Sequence, residues 1–128
     1  MIFDTDFLIA YARGSRALTK TRARAFFASL ESKEPLLISR VSWMEFVAGY
    51  AEEAAAVAEL PLVTMVEFDG ELWWGASRII RELGLRRLTI GTPDCMIAAT
   101  ALAYGQTLVT LNHSHFERVV GLKVITPH

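Results

Sequence analysis

Five polar residues in this chain have the types and positions to do chemistry together: Asp4, Asp6, Glu45, Asp94 and Asn112. Asp4 closes a run of Met, Ile and Phe, and a buried strand does not tolerate an ionised carboxylate without a partner. Asp6 stands directly ahead of a helical segment at Phe7 and suits its cap better than Asp4 does. Asp4 then reads either as a structural residue of that helix start or as a functional acid. Glu45 lies about 100° around its helix from the apolar stripe Val41, Met44, Val47, Ala48 and Ala51, at the edge of the buried face. Alone it reads as a solvated glutamate, and only company gives it weight. Asp94 follows Thr92 and Pro93, which suit an N-cap and a first helical position. The free N–H groups and dipole there favour an acid for structural reasons, and they also keep it ionised, as a metal ligand must be.

Carboxylates converging on one rim repel each other unless a cation sits between them. With oxygen ligands and one amide, the suitable ions are Mg²⁺ and Mn²⁺. Such an ion lowers the pKa of bound water, orients a phosphate and stabilises a leaving oxygen. A zinc site from Cys95, His113, His115 and His128 lacks recognisable ligand spacing. Cys95 reads instead as a small packed hydrophobe, and His115-Phe116 as a loop packing pair. Between Phe7 and Leu30 there is no acid, while Arg13, Arg16, Lys20, Arg22 and Arg24 are all basic. This cluster suits a phosphate backbone, although a charge run by itself describes any solvated helix face. Acids around a hard cation, beside a basic helix, describe phosphodiester hydrolysis.

Such a site needs elements that bring distant acids to one edge. Short apolar runs at Met1–Asp4, Leu36–Ser39, Leu62–Phe68, Thr107–Leu111 and Lys123–Ile125 read as strands buried on both faces. Helical periods fall at Phe7–Ala12, Thr19–Leu30, Val41–Glu59 (broken near Gly49), Glu71–Leu83 and Asp94–Tyr104, with a short turn near Phe116–Val119. The alternation implies right-handed crossovers and a mostly parallel sheet covered on both faces. In such sheets ligands bind outside the carboxyl ends of the strands, which is where the five polar residues fall. In the fourth helix Leu72, Trp73, Ala76, Ile79, Ile80 and Leu83 share one stripe, with Trp74 nearly opposite. Trp43, Phe46 and Tyr50 form a second apolar edge on the third helix. With Trp74 they are either a surface for a partner or ordinary core.

The chain has 128 residues, 13 Lys+Arg against 14 Asp+Glu, and 52% apolar residues. That apolar share is too high for disorder, and the length suits a single domain over residues 1–128. One cysteine cannot form an internal disulfide. No apolar run approaches the ~20 residues of a membrane span. Asp4 and Asp6 stand where a signal peptide would carry positive charge, so a cytoplasmic protein is expected.

The motifs together resemble the PIN-domain nucleases, specifically the VapC-like toxins of type II toxin–antitoxin pairs. The similarity is carried by Ile2-Phe3-Asp4-Thr5-Asp6-Phe7-Leu8-Ile9, by Ile38-Ser39 through Glu45 to Gly49, by Pro93-Asp94-Cys95 to Ala101, and by Thr107 through Asn112 to Phe116. Gly121-Leu122-Lys123-Val124 resembles the usual ending. The resemblance implies a three-layer α/β/α sandwich with four or five strands and a Mg²⁺- or Mn²⁺-dependent endoribonuclease using a metal-activated water. It implies Asp4, Glu45 and Asp94 as acidic ligands, Asn112 completing the site and Thr110 orienting a neighbouring ligand. Asp6 departs from the Asn frequent in relatives. The resemblance further implies an RNA substrate, a small antitoxin as partner, and a homodimer or larger complex.

Three other readings compete. A receiver domain would need an acceptor Asp after the third strand and a Lys near the fifth, whereas Asp69-Gly70 is turn-like and Lys123 lies within a strand. A catalytically silent RNA-binding module would not require Asp4, Glu45 and Asp94 intact. A PIN nuclease of RNA maturation, without an antitoxin, would carry the same residues.

Overall fold

The computed structural model describes residues 1–14, 17–30 and 34–127. In chain order the elements are β1 (Ile2–Phe3), α1 (Thr5–Arg13), α2 (Ala17–Ser29), β2 (Leu37–Ser39), α3 (Arg40–Val47), α4 (Glu53–Glu59), β3 (Thr64–Val66), α5 (Glu71–Leu85), α6 (Thr92–Ala103), β4 (Leu108–Val109), α7 (His113–Phe116) and β5 (Val124–Ile125). The strands form a five-stranded sheet in the order β3-β2-β1-β4-β5, with every neighbouring pair parallel. Ile2 is in register with Leu37 on one side and Leu108 on the other, and Phe3 with Ile38 and Val109.

Side chains alternate across these strands, which is why continuous apolar runs were needed. Ile2, Leu37 and Leu108 face one core together with Leu83 of α5, Ile97, Ala98 and Ala101 of α6, and Phe116 of α7. Phe3, Ile38 and Val109 face the other, with Phe7 and Leu8 of α1, Ala23 of α2, Phe46 of α3 and Ala56 of α4. The result is the expected α/β/α sandwich. The alanines of α6 let it lie close to the sheet.

Several sequence expectations are corrected. Asp4, not Asp6, caps α1: its Oδ1 accepts the Thr5 N–H at 2.8 Å. Gly91 holds the N-cap position of α6, so Thr92 and Pro93 are its first two residues. The break expected near Gly49 within Val41–Glu59 is present and divides that segment into α3 and α4. Its buried stripe was also misplaced: α3 buries Val41, Ser42 and Phe46, while Met44 is 59% exposed. Two turns are too short for a stripe to develop. The face of α3 is instead fixed by its cap, where Ser39 Oγ accepts the Ser42 N–H at 3.0 Å. On α5, Leu72, Ala76 and Leu83 are buried, but Trp73 and Ile80 are exposed; Trp73 sits edge-on to Phe68 with centroids 4.7 Å apart. The short turn expected near Phe116–Val119 begins earlier, as α7. No helix among the described residues is long and apolar enough to cross a membrane.

Candidate functional site

Because all strands run parallel, β1, β2 and β4 end at the same edge of the sheet. Asp4 leaves β1 there, α3 leaves β2, and Thr110 to Asn112 leave β4. Asp4 is 4% exposed. Both its oxygens are engaged: Oδ1 by the Thr5 N–H, Oδ2 by the Thr110 hydroxyl, which donates at 2.7 Å. A buried carboxylate requires such partners. Thr110 Oγ1 also lies 3.3 Å from both oxygens of Asp6, but its one proton goes to the shorter contact. It accepts the Asn112 N–H at 3.0 Å, and Asp6 Oδ1 accepts the Leu111 N–H at 3.2 Å. Glu45 joins from α3, where its Oε1 accepts the Thr5 hydroxyl at 2.7 Å. Thr5 thus meets Asp4 with its N–H and Glu45 with its hydroxyl, while the Thr110 hydroxyl bonds Asp4 and lies beside Asp6.

Burial, followed by the adjacent Asp6 charge, pushes the Asp4 carboxyl up to about 8; the Thr110 and Thr5 hydrogen bonds oppose this. Asp94 stands in the first turn of α6, half-buried, with Oδ2 at 3.4 Å from His115 Nδ1. That contact ties it to α7, which starts immediately after Asn112. Asn112 Oδ1 accepts the Ser114 hydroxyl at 3.4 Å. The structure thus brings Asp4, Asp6, Glu45 and Thr110 into one hydrogen-bonded group. It connects Asp94 and Asn112 to that group through the β4–α7 segment.

The donor set fits a hard cation in its chemistry, since it is all oxygen and holds a buried acid against a second acid. The side chains are not drawn in around one: among the described residues, no three of His, Cys, Asp or Glu form a cluster able to hold a metal ion. A groove of about 530 Å³ lies elsewhere, between α5 and α6, and contains none of these acids.

The basic segment is less available than its sequence suggests. Arg16 lies outside the described residues. The Arg13 guanidinium is stacked on Phe46 and Tyr50. Arg24 covers the Tyr11 ring at 4.8 Å and donates to the Tyr11 carbonyl at 2.9 Å. Arg22 is exposed and Lys20 half-buried. The expected partner surface is likewise divided: Phe46 is fully buried, Trp43 and Tyr50 pack against the same core, and Trp74 is 62% exposed. Cys95 is buried and its thiol is pushed up by that burial and by Asp94, so it is inert packing.

Thr5 was missed by the sequence reading. Its signal was the position directly after Asp4, where a hydroxyl at the first helical position projects over the strand ends.

The chain is similar to known proteins over nearly its whole length. A family described as PIN domain matches residues 1–122. The chain is 32% identical to Ribonuclease VapC1 of Rickettsia felis, over 98% of this chain and 95% of that protein. It is 31% identical to Ribonuclease VapC1 of Methanocaldococcus jannaschii, over 97% of this chain and 85% of the other. In fold it is similar to the VapBC2 of Rickettsia felis, solved bound to a DNA fragment from its promoter, with a TM-score of 0.81, 20% identity and full coverage of both chains.

Proposed function

This chain belongs to the PIN-domain family, among the VapC ribonucleases, and from that premise we propose that it is a Mg²⁺- or Mn²⁺-dependent endoribonuclease acting as one domain over residues 1–128. Asp4, Glu45 and Asp94 would hold the ion, which when bound supplies charge for a phosphate oxygen and an activated water. The remaining chemistry belongs to the chain's own groups. The Thr110 hydroxyl fixes the rotamer of Asp4, and the Thr5 hydroxyl fixes Glu45 against it. The Asn112 N–H holds Thr110 in turn, which sets the loop carrying the Asn112 amide beside the acids. Asp6, fastened by the Leu111 N–H, adds negative charge next to Asp4. Exposed Arg22 and half-buried Lys20 supply attraction for an RNA backbone.

The observation that carries this reading is the buried Asp4, joined to Asp6 through Thr110 and to Glu45 through Thr5. Capping α1 accounts for Asp4 but not for Asp6 and Glu45 beside it. A toxin role and a small antitoxin as partner are supported by the likeness to Ribonuclease VapC1 of Rickettsia felis and to a solved toxin–antitoxin complex from Klebsiella pneumoniae. The test is cleavage of a total RNA preparation by purified protein with Mn²⁺, with EDTA, and with Asp94→Asn, a half-exposed position whose substitution should leave the helical CD signal unchanged. EDTA should abolish cleavage and Asp94→Asn should lower it at least ~100-fold. Full activity in either arm would end this assignment.

A further inference from the structure

Arg13 is the last residue of α1, and its guanidinium turns inward. Its Cζ lies 4.9 Å from the Phe46 ring centroid and 4.7 Å from that of Tyr50. These two rings are themselves 5.3 Å apart. Between them in the chain is Gly49, where an added Cβ would stand 2.3 Å from Arg13 Nη2 and 2.7 Å from Cζ. The φ of Gly49 is outside the left-handed region. Space for the guanidinium, not backbone freedom, is what glycine provides here. Arg13 Nη1 is buried without a hydrogen-bond partner. The charge is held by aromatic faces instead.

The same helix grips α3 at a second point, through the Thr5 hydroxyl on Glu45. Glu45 directly precedes Phe46 in α3, so the two contacts from α1 hold adjacent residues of that helix. We infer that Arg13 is a positioning residue: stacked on Phe46 and Tyr50 across Gly49, it locks the end of α3 to α1 and so sets Glu45 beside Asp4 and Asp6. This rests on the nuclease reading for its consequence, while the lock itself does not. It also separates Arg13 from the role its charge first suggests. A residue contacting RNA phosphates acts on KM; one that aligns an acid acts on kcat.

The experiment uses Arg13→Ala, Arg13→Lys, Gly49→Ala and the Arg13→Ala/Gly49→Ala double variant. Each is measured by urea denaturation midpoint and by kcat and KM on an RNA oligonucleotide with Mn²⁺. Gly49→Ala should lower the midpoint in the wild-type background and add little in the Arg13→Ala background, where the atoms it would strike are gone. Arg13→Ala should lower kcat about tenfold to 100-fold, as a misplaced catalytic group does. KM should stay within about twofold. Arg13→Lys should rescue neither, because an ammonium lacks the planar face that stacks. Additive midpoint losses would overturn the lock. A raised KM with unchanged kcat would make Arg13 an RNA contact. If the wild-type protein cuts no RNA, the nuclease reading fails, and the midpoint cycle still decides the lock.

Discussion

At Asp4 the fold keeps a carboxyl away from water and beside a second acid, and its protonation follows. In the folded chain it holds its proton up to about pH 8, against an ordinary value of 3.8. Between those values the folded state binds more protons than the unfolded state. Stability contributed by this group is therefore complete below about pH 4 and is lost as pH rises through about 8. Asp4→Asn keeps an acceptor for the Thr5 N–H and removes the charge. In EDTA at pH 8 it should stabilise the protein by more than about 1 kcal/mol, while at pH 4 the two proteins should be nearly equal. Urea midpoints at the two pH values check this, and an equal difference at both would contradict the burial argument. The same residue shows what could be read in advance. A carboxylate ending an apolar strand announced a special environment. Its double duty as helix cap did not, because capping depends on a backbone angle that the neighbouring Asp6 could equally have supplied.

Among the elements, α3 and α6 show why some segments were legible and others were not. In α6 the alanines announced a close approach, and Ala98 and Ala101 are fully buried against Ile2, Leu37 and Leu108. Ala98→Leu should accordingly cost about 1–3 kcal/mol by overpacking, measured as a lower urea midpoint with the helical CD signal retained. For α3 the expected stripe ran through Met44 and Ala48, which face water. Periodicity needs several turns to define a face, and this helix has two. Its rotation is set by Ser39 at one end and by contacts with α1 at the other, neither of which has a periodic signal. On α5 the pattern gave the buried side but overestimated its width, since Trp73 and Ile80 are apolar residues that the sheet does not cover. The inner strands β1, β2 and β4 were the most legible elements because burial on both faces leaves an uninterrupted apolar run, whereas the edge strand expected over Leu62–Phe68 is only Thr64–Val66 and partly exposed.

For the molecule as a whole, the assembly of acids ties metal affinity, acidity and stability together. A divalent cation must displace the proton that burial holds on Asp4, so its binding strengthens as pH rises. Mn²⁺ should stabilise the wild-type protein more at pH 8 than at pH 5, by up to ~4 kcal/mol at a thousandfold excess over Kd, read as a higher thermal midpoint. Asp4→Asn should lose most of that gain. Equal shifts at both pH values and in both proteins would place the ion elsewhere. The threading of the sheet has a temporal consequence as well. The first strand is central, yet the hydroxyl that completes its acid arrives 106 residues later, from the strand paired on its far side. A chain still emerging from the ribosome, or one cut short before Thr110, therefore carries the acids without the frame that aligns them. On the nuclease reading, any activity of this site waits for synthesis to pass that strand.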